Sequence, residues 1–279
     1  MKRPIARLVT VLTCAALAFS AAVADAQAKK PKKPKKPGGD QSGQEKTPGG
    51  QTQPPPPPPG PPAGLGTVED KLWAYKTAEA RSAVQAHADQ AAANGWVAAA
   101  LGRVLDQEKK YGEAEAQIKK AAELLPSEPA PWVYLGEAYL HQNRQGDANN
   151  AFRKAAELAQ AKGGGEAAYF LGVAQQRLNQ YDQALASFGR ASAPEPALLA
   201  YQIGVTRAFQ GKWAEAAAEL SRALERDSGL AYAYYYRGLA HEKLGNKDRL
   251  INDLERFVAL APNAPDADRA RAILRAAAR

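Results

Sequence analysis

A dipeptide that ends in glycine recurs at a nearly constant interval, and this period constrains the fold more than any other feature of the chain. The intervals between successive glycines are 34, 36, 32 and 34 residues. The five dipeptides are Leu101-Gly102, Leu135-Gly136, Leu171-Gly172, Ile203-Gly204 and Arg237-Gly238. A fixed period of about 20–50 residues is typical of repeat proteins, in which each unit is stable only because it packs on its neighbours.

Small and bulky residues follow each of these glycines in a fixed register. A small residue lies twelve positions after the glycine in four units, and a bulky apolar residue lies four positions further on. The pairs are Ala114 and Ile118, Ala148 and Phe152, Ala184 and Phe188, and Ala216 and Leu220. Because small residues let two helices approach closely while bulky ones fill the space beside them, each unit is predicted to be two antiparallel helices. The last unit has Leu250 and Phe257 where the others have small residues, which predicts a wider helix crossing there.

The unit that begins near Trp132 resembles the tetratricopeptide repeat (TPR). The residues that match this family are Trp132, Leu135, Gly136, Tyr139, Ala148, Phe152 and Ala155. The proline that closes the motif is replaced by Gln160 in this unit, but three other units have it, as Pro126, Pro196 and Pro262. A proline at this position is expected to end the second helix of its unit.

The resemblance covers about residues 95–264 and implies an all-α fold. The expected architecture is a right-handed α–α superhelix of about five TPR helix-turn-helix units with a concave groove. The expected units are 95–128, 129–162, 165–196, 197–230 and 231–264. Residues 265–279 are predicted to form a capping helix. The Ala-rich residues 67–94 predict either one long leading helix or a degenerate repeat.

Residues 1–26 have the three-part organisation of a secretory signal peptide. Basic residues precede an apolar stretch from Leu8 to Val23, and small residues suited to cleavage follow it. This stretch has 16 residues, fewer than the roughly 20 of a membrane-spanning helix. We therefore expect a TPR protein of the exported bacterial type, periplasmic or secreted after cleavage. The alternative is an uncleaved segment that anchors the chain in the inner membrane.

Residues 27–66 combine a lysine- and proline-rich run with a polyproline run, and they lack bulky apolar residues before Leu65. Such a segment is predicted to be a disordered, semi-stiff spacer that contributes nothing to the fold. Its lysines from Lys29 to Lys36 suit contact with an anionic envelope surface, unless they are only a solvated part of the spacer. Residues 67–279 carry a net charge of +1 out of the total of +8, which does not favour nucleic acid as a partner.

The residue types that catalysis or metal binding requires are scarce and scattered. The single cysteine, Cys14, lies in the apolar N-terminal stretch, and the three histidines, at 87, 141 and 241, belong to no metal-binding motif. No combination of nucleophile and general base is recognisable in the repeats. We therefore expect no catalytic residues, no metal, no cofactor and no enzymatic activity.

The resemblance implies a non-catalytic scaffold or adaptor of the bacterial cell envelope that binds a protein or peptide segment in the concave groove. The alternative is a membrane-anchored or cytoplasmic adaptor whose Lys/Pro tail binds nucleic acid, anionic lipid or cell-wall polymer. In this family, the second, fifth, ninth and twelfth positions of each first helix face the groove. The predicted groove residues are Trp96, Tyr169, Val173, Tyr201, Val205, Tyr232, Tyr235 and Leu239. Because aromatic residues dominate many interfaces, we expect Tyr201→Ala with Tyr235→Ala to weaken partner binding without changing the melting temperature.

Overall fold

The computed structural model describes residues 58–192 and 196–277, and thirteen α-helices make up most of this part of the chain. The helices are α1 (Gly66–Trp73), α2 (Thr77–Gln85), α3 (Gly95–Gln107), α4 (Tyr111–Leu124), α5 (Ala130–His141), α6 (Gln145–Lys162), α7 (Gly164–Arg177), α8 (Tyr181–Phe188), α9 (Pro196–Phe209), α10 (Trp213–Arg226), α11 (Ala231–Lys243), α12 (Lys247–Leu260) and α13 (Ala267–Ala277). A short 3₁₀ helix, Ala88–Ala92, precedes α3, and the described residues include no β-strand. The predicted all-α fold is confirmed. The predicted signal peptide and the spacer up to residue 57 lie outside the described residues.

Helices α3 to α12 form five pairs, each made of a first helix, a short turn and a second helix. One residue in every turn has a left-handed backbone conformation with a positive φ. These residues are Lys109 (φ 62°), Asn143 (φ 58°), Asn179 (φ 62°), Gly211 (φ 74°) and Gly245 (φ 76°). Asn and Gly adopt this conformation more readily than other residues, and it lets the chain reverse direction within a few residues. The turns recur in the same register as the glycines of the first helices, so the sequence period is the period of the helix pairs.

The small residues of the repeat lie at the centre of each pair. The alanines that follow the repeat glycines by twelve positions have no exposed surface in four pairs. In these four pairs, a Cβ atom added at the glycine would come within 2.5–2.7 Å of the bulky side chain opposite. In the last pair, a Cβ atom at Gly238 would lie 3.2 Å from Leu254. Gly238 therefore has more room than the other four glycines, which is the direction expected from Leu250 and Phe257.

Residues 67–94 contain two helices and not one long helix. Helices α1 and α2 are joined at Tyr75, which has a φ of 56° and lies 34 residues before the turn residue Lys109. Ala80 and Val84 occupy the small and bulky positions of the repeat, and both are fully buried. These two helices, which we call the leading helix pair, therefore repeat the structure of the five pairs without their glycine.

The fold begins before the predicted end of the spacer. Leu65 is buried in one cluster with Val68 and Leu72. The backbone carbonyl oxygen of Gly60 accepts a hydrogen bond of 3.0 Å from Asn94 Nδ2. The expectation that the first 66 residues contribute nothing to the fold was therefore wrong for this last part of the spacer, because Leu65 has an apolar cluster to join.

Pro196 does not end a second helix. Helix α8 already ends at Phe188, and Pro196 is the first residue of α9. The first turn of a helix tolerates proline, because the backbone N–H groups there have no partner within the helix. The repeat motif therefore located this proline correctly between two units, but the proline begins a first helix and does not end a second one.

Helix α13 covers the end of the last pair. Ala267 and Ala270 are buried, and Ile273 and Leu274 pack against the cluster formed by α11 and α12. This agrees with the amphipathic pattern of the C-terminal segment. None of the described helices combines the length and the hydropathy that a membrane span requires.

Candidate functional site

Successive first helices contact one another along one side of the solenoid, where the predicted groove residues lie, and the leading helix pair packs against this side. We call residues 73–75, which are the last residue of α1 and the two residues after it, the hairpin tip. The indole of Trp73 meets the ring of Tyr201 edge-on at 5.9 Å between centroids, and the ring of Tyr75 lies 5.4 Å from that of Tyr232. Tyr201 in α9 and Tyr232 in α11 are predicted groove residues. The hairpin tip therefore covers the part of the groove that these two residues line.

Polar contacts with α3 hold the leading helix pair in this position. Gln107 Nε2 donates a hydrogen bond of 2.7 Å to the backbone carbonyl oxygen of Leu72, and Gln107 Oε1 accepts one of 2.9 Å from Thr77 Oγ1. Arg103 forms an ion pair with Glu69. The hairpin tip is thus fixed by polar contacts with α3 and by aromatic contacts with α9 and α11.

An open pocket of about 350 Å³ lies between α1 and the first helices of the first four pairs. The large apolar and aromatic side chains of its lining come from α3, α5, α7 and α9. They are Trp96, Val133, Tyr134, Tyr169, Phe170, Val173 and Leu198. Leu65 and Trp73 add a further wall from the leading segment. The apolar lining thus combines four repeat units with the leading segment.

A second pocket of about 290 Å³, which is also open to solvent, lies beside the hairpin tip, and its lining contains several charged side chains. Arg177 Nη2 donates a hydrogen bond of 2.9 Å to Glu137 Oε1. His141 Nδ1 lies 2.7 Å from Asp106 Oδ2. These charged groups are paired within the chain. The described residues contain no group of three or more His, Cys, Asp or Glu side chains that is placed to hold a metal ion.

The tyrosines of the concave side are neutral at physiological pH, as an ordinary tyrosine with a pKa of about 10 is, and burial raises the pKa further. Burial raises the pKa of Tyr169 to about 12 and the pKa of Tyr201 well above its ordinary value. Burial also raises the pKa of Tyr134. A neutral phenol both donates and accepts hydrogen bonds. These side chains therefore offer hydrogen bonds and aromatic surface, and not negative charge.

The predicted groove residues are divided between the two pockets. Trp96, Tyr169 and Val173 line the open pocket, whereas Tyr201 and Tyr232 line the second pocket. The contacts of the hairpin tip with Tyr201 and Tyr232 therefore interrupt the strip that the predicted residues were expected to form.

The other three predicted groove residues, Val205, Tyr235 and Leu239, line neither pocket. Val205 and Tyr235 are each 2% exposed, and Tyr201 is 8% exposed. Replacing buried tyrosines by alanine leaves cavities in the core, which lowers stability. The burial of Tyr201 and Tyr235 therefore does not support an unchanged melting temperature for Tyr201→Ala with Tyr235→Ala, and the structure leads us to expect a lower one.

The role of the hairpin tip was not predicted from the sequence. Trp73 and Tyr75 are the only residues of 67–94 with a Trp, Tyr or Phe side chain, and they stand almost adjacent in an Ala-rich segment. This was an available signal for an aromatic contact. Tyr134 and Phe170 also line the open pocket and were not among the predicted groove residues, although Phe170 directly follows the predicted Tyr169.

Comparison with known proteins identifies the class of fold. A tetratricopeptide repeat protein from Parabacteroides merdae matches with a TM-score of 0.53 and 15% identity, over 77% of this chain and 83% of that chain. The APC/C hetero-tetramer Cut9-Hcn1 matches with a TM-score of 0.52 and 18% identity, over 77% of this chain and 42% of that chain. YrrB, a TPR protein with an unusual peptide-binding site, matches with a TM-score of 0.38 and 24% identity, over 63% of this chain and 90% of that chain. No protein-family model and no curated protein matches the sequence.

The first two likenesses, together with the helix pairs, show that the fold is a TPR solenoid. The match to Cut9-Hcn1 spans less than half of that chain. A shared fold does not assign a partner, since one fold carries many functions.

Proposed function

We propose that this chain is a protein-interaction scaffold that binds a segment of a partner protein in the open pocket. The observation that carries this proposal is the pocket of about 350 Å³ among the first helices, in which the half-buried Trp96 and Tyr134 lie beside the more deeply buried Val133 and Phe170. Binding sites typically have volumes of about 300–1,000 Å³ and a mostly apolar lining with a few polar groups. The open pocket has both properties.

Peptide selection on the full-length chain tests this site. A random peptide library is selected on the immobilised protein, and the affinity of the selected peptides is measured by fluorescence anisotropy. Trp96→Ala is expected to weaken binding about tenfold, because aromatic anchors carry a large share of binding energy. Trp132→Ala is the matched control. Trp132 is also half-buried, but it lies in a groove between α4, α5 and α6.

The control should bind the selected peptides with the affinity of the unchanged protein. Equal affinity of Trp96→Ala and the unchanged protein would contradict the proposed site. Circular dichroism melting curves of both variants separate a loss of binding from a loss of the fold.

We also propose that the protein acts in the bacterial cell envelope, on the basis of residues 1–26. Mass spectrometry of the protein purified from its native cell tests this. A mature chain that begins at Asp25 or Gln27 would support export, whereas a chain that still begins at Met1 would contradict cleavage.

A further inference from the structure

The open pocket contains more carboxylates than cationic groups. Four carboxylates and one guanidinium line it. Glu69 forms an ion pair with Arg103, and Glu137 forms one with Arg177 at 2.9 Å. These two carboxylates are therefore compensated by cations of the same chain.

The other two carboxylates belong to Asp70 and Glu166. Asp70 lies on α1 and Glu166 lies in the first turn of α7, and both residues are exposed. Neither forms an ion pair with another residue of the ranges 58–192 and 196–277. Two such carboxylates beside an apolar pocket attract a cation and repel an acidic segment.

We propose that the open pocket selects a basic partner segment, in which a bulky apolar side chain lies next to Lys or Arg. The apolar side chain fills the space between Trp96 and Phe170. The cationic group next to it faces Asp70 and Glu166. This inference rests on the proposed function and adds the chemistry of the partner to it.

The leading helix pair then takes part in partner selection. Asp70 and Trp73 both lie on α1, and both line the open pocket. The repeat units alone would provide the apolar surface of the first helices and the carboxylate of Glu166. They would lack the wall formed by Trp73 and the carboxylate of Asp70. Helix α1 is therefore part of the binding site and not only a cover for the first repeat.

The peptides selected on the full-length chain test the chemistry of the partner. We expect enrichment of sequences with Lys or Arg beside an aromatic or aliphatic residue. The double variant Asp70→Asn with Glu166→Gln should bind them about threefold to tenfold more weakly, since it loses two exposed charge pairs with the partner and each such pair contributes modestly to binding. Added salt should weaken binding to the unchanged protein more than binding to this variant.

The matched control is the double variant Glu123→Gln with Glu225→Gln. It removes the same amount of charge from two exposed residues that do not line the open pocket. Its affinity for the selected peptides should equal that of the unchanged protein. An equal loss in both double variants would reveal a general effect of net charge and would overturn the proposal.

The result for Trp96→Ala separates the two proposals. The selected peptides could require Trp96, lack basic residues and bind the Asp70→Asn, Glu166→Gln variant with unchanged affinity. This result would overturn the basic-segment proposal and leave the scaffold function intact. Peptides that bind normally to Trp96→Ala would overturn the proposed function itself.

Two other occupants of the open pocket would also overturn the proposal. A second copy of this chain is the occupant if sedimentation shows self-association that Trp96→Ala abolishes. The chain's own Lys/Pro segment is the occupant if changing the six lysines from Lys29 to Lys36 to glutamine raises the affinity for the selected peptides about tenfold.

Discussion

The ring of Phe152 lies directly against the backbone of Gly136, so that a Cβ atom at Gly136 would come within 2.5 Å of the ring. The two residues belong to α5 and α6, the first and second helices of one pair. Glycine is required here because no other residue leaves room for the ring at this distance. The recurrence of this relationship in three other pairs explains why the glycine is such a regular feature of the sequence.

Gly136→Ala should lower the free energy of unfolding by about 1–3 kcal/mol, because the added methyl group overpacks the helix crossing. Gly146→Ala is the matched control, since Gly146 lies in α6 and a Cβ atom there would meet nothing within 4 Å. Alanine at this position should stabilise the helix by up to about 1 kcal/mol. Urea denaturation of both variants measures the difference, and a similar change in both would contradict the close-crossing explanation.

Ala148→Leu and Ala184→Leu should each lower the free energy of unfolding by about 1–3 kcal/mol. Both alanines have no exposed surface and lie between the helices of their pairs. Ala161→Leu, at an exposed position near the end of α6, is the control and should leave stability nearly unchanged. If neither buried substitution shifts the denaturation midpoint, the register of the repeat is incorrect.

Tyr235→Ala should lower the free energy of unfolding by about 3–5 kcal/mol, because Tyr235 is one of the largest fully buried side chains. Tyr235→Phe keeps the ring and removes only the hydroxyl, which donates a hydrogen bond of 3.1 Å to Asp266 Oδ1. It should cost about 0.5–1.5 kcal/mol. Thermal and urea denaturation compare the two variants. An alanine variant as stable as the phenylalanine variant would show that Tyr235 faces the groove and not the core.

His141 should make stability depend on pH. Its Nδ1 lies 2.7 Å from Asp106 Oδ2, and this hydrogen bond raises the pKa of His141. A raised pKa in the folded state gives stabilisation that is fully present below the unfolded value of about 6.5 and is lost as the pH rises through the folded-state value. His141→Gln should therefore cost more stability near pH 5.5 than near pH 8.5, as urea denaturation at about these two values can show. The difference should not exceed about 1 kcal/mol, because the side chain is 45% exposed.

His241 is expected to change the pH dependence of stability in the opposite direction from His141. Burial lowers the pKa of His241, so the folded state binds a proton there less readily than the unfolded state does. This side chain opposes folding at low pH, and His241→Gln should remove that effect.

The prediction for His141 has its own contradicting outcome. If the effect of His141→Gln on stability does not change with pH, the hydrogen bond between His141 and Asp106 does not favour the protonated form.

The five pairs could be predicted from the sequence because their determinants are local and periodic. Four of the pairs have a glycine, an alanine and a bulky residue at fixed separations, as Gly136, Ala148 and Phe152 show, and the fifth keeps the glycine and the bulky residue. The leading helix pair lacks the glycine, and Val68 stands at that position. Only Ala80 and Val84 preserve the pattern, which was too little to distinguish a helix pair from one long helix.

The division of the groove could not be predicted in the same way. The first-helix positions of Trp96 and Tyr169 do line a concave pocket, as the register of the repeat indicated. The contact between Trp73 and Tyr201 depends instead on the curvature of the solenoid, which is the sum of small rotations between successive pairs. No single sequence position encodes that sum, so the covering of Tyr201 and Tyr232 became visible only in the structure.

A repeat protein whose units touch only their neighbours can unfold progressively from either end. The contacts of Trp73 with Tyr201 and of Tyr75 with Tyr232 add a link between units that are far apart in the sequence. An end of the solenoid cannot fray beyond these contacts without breaking them. The leading helix pair therefore couples the unfolding of the first unit to that of the fourth and fifth, and it increases the cooperativity of the whole array.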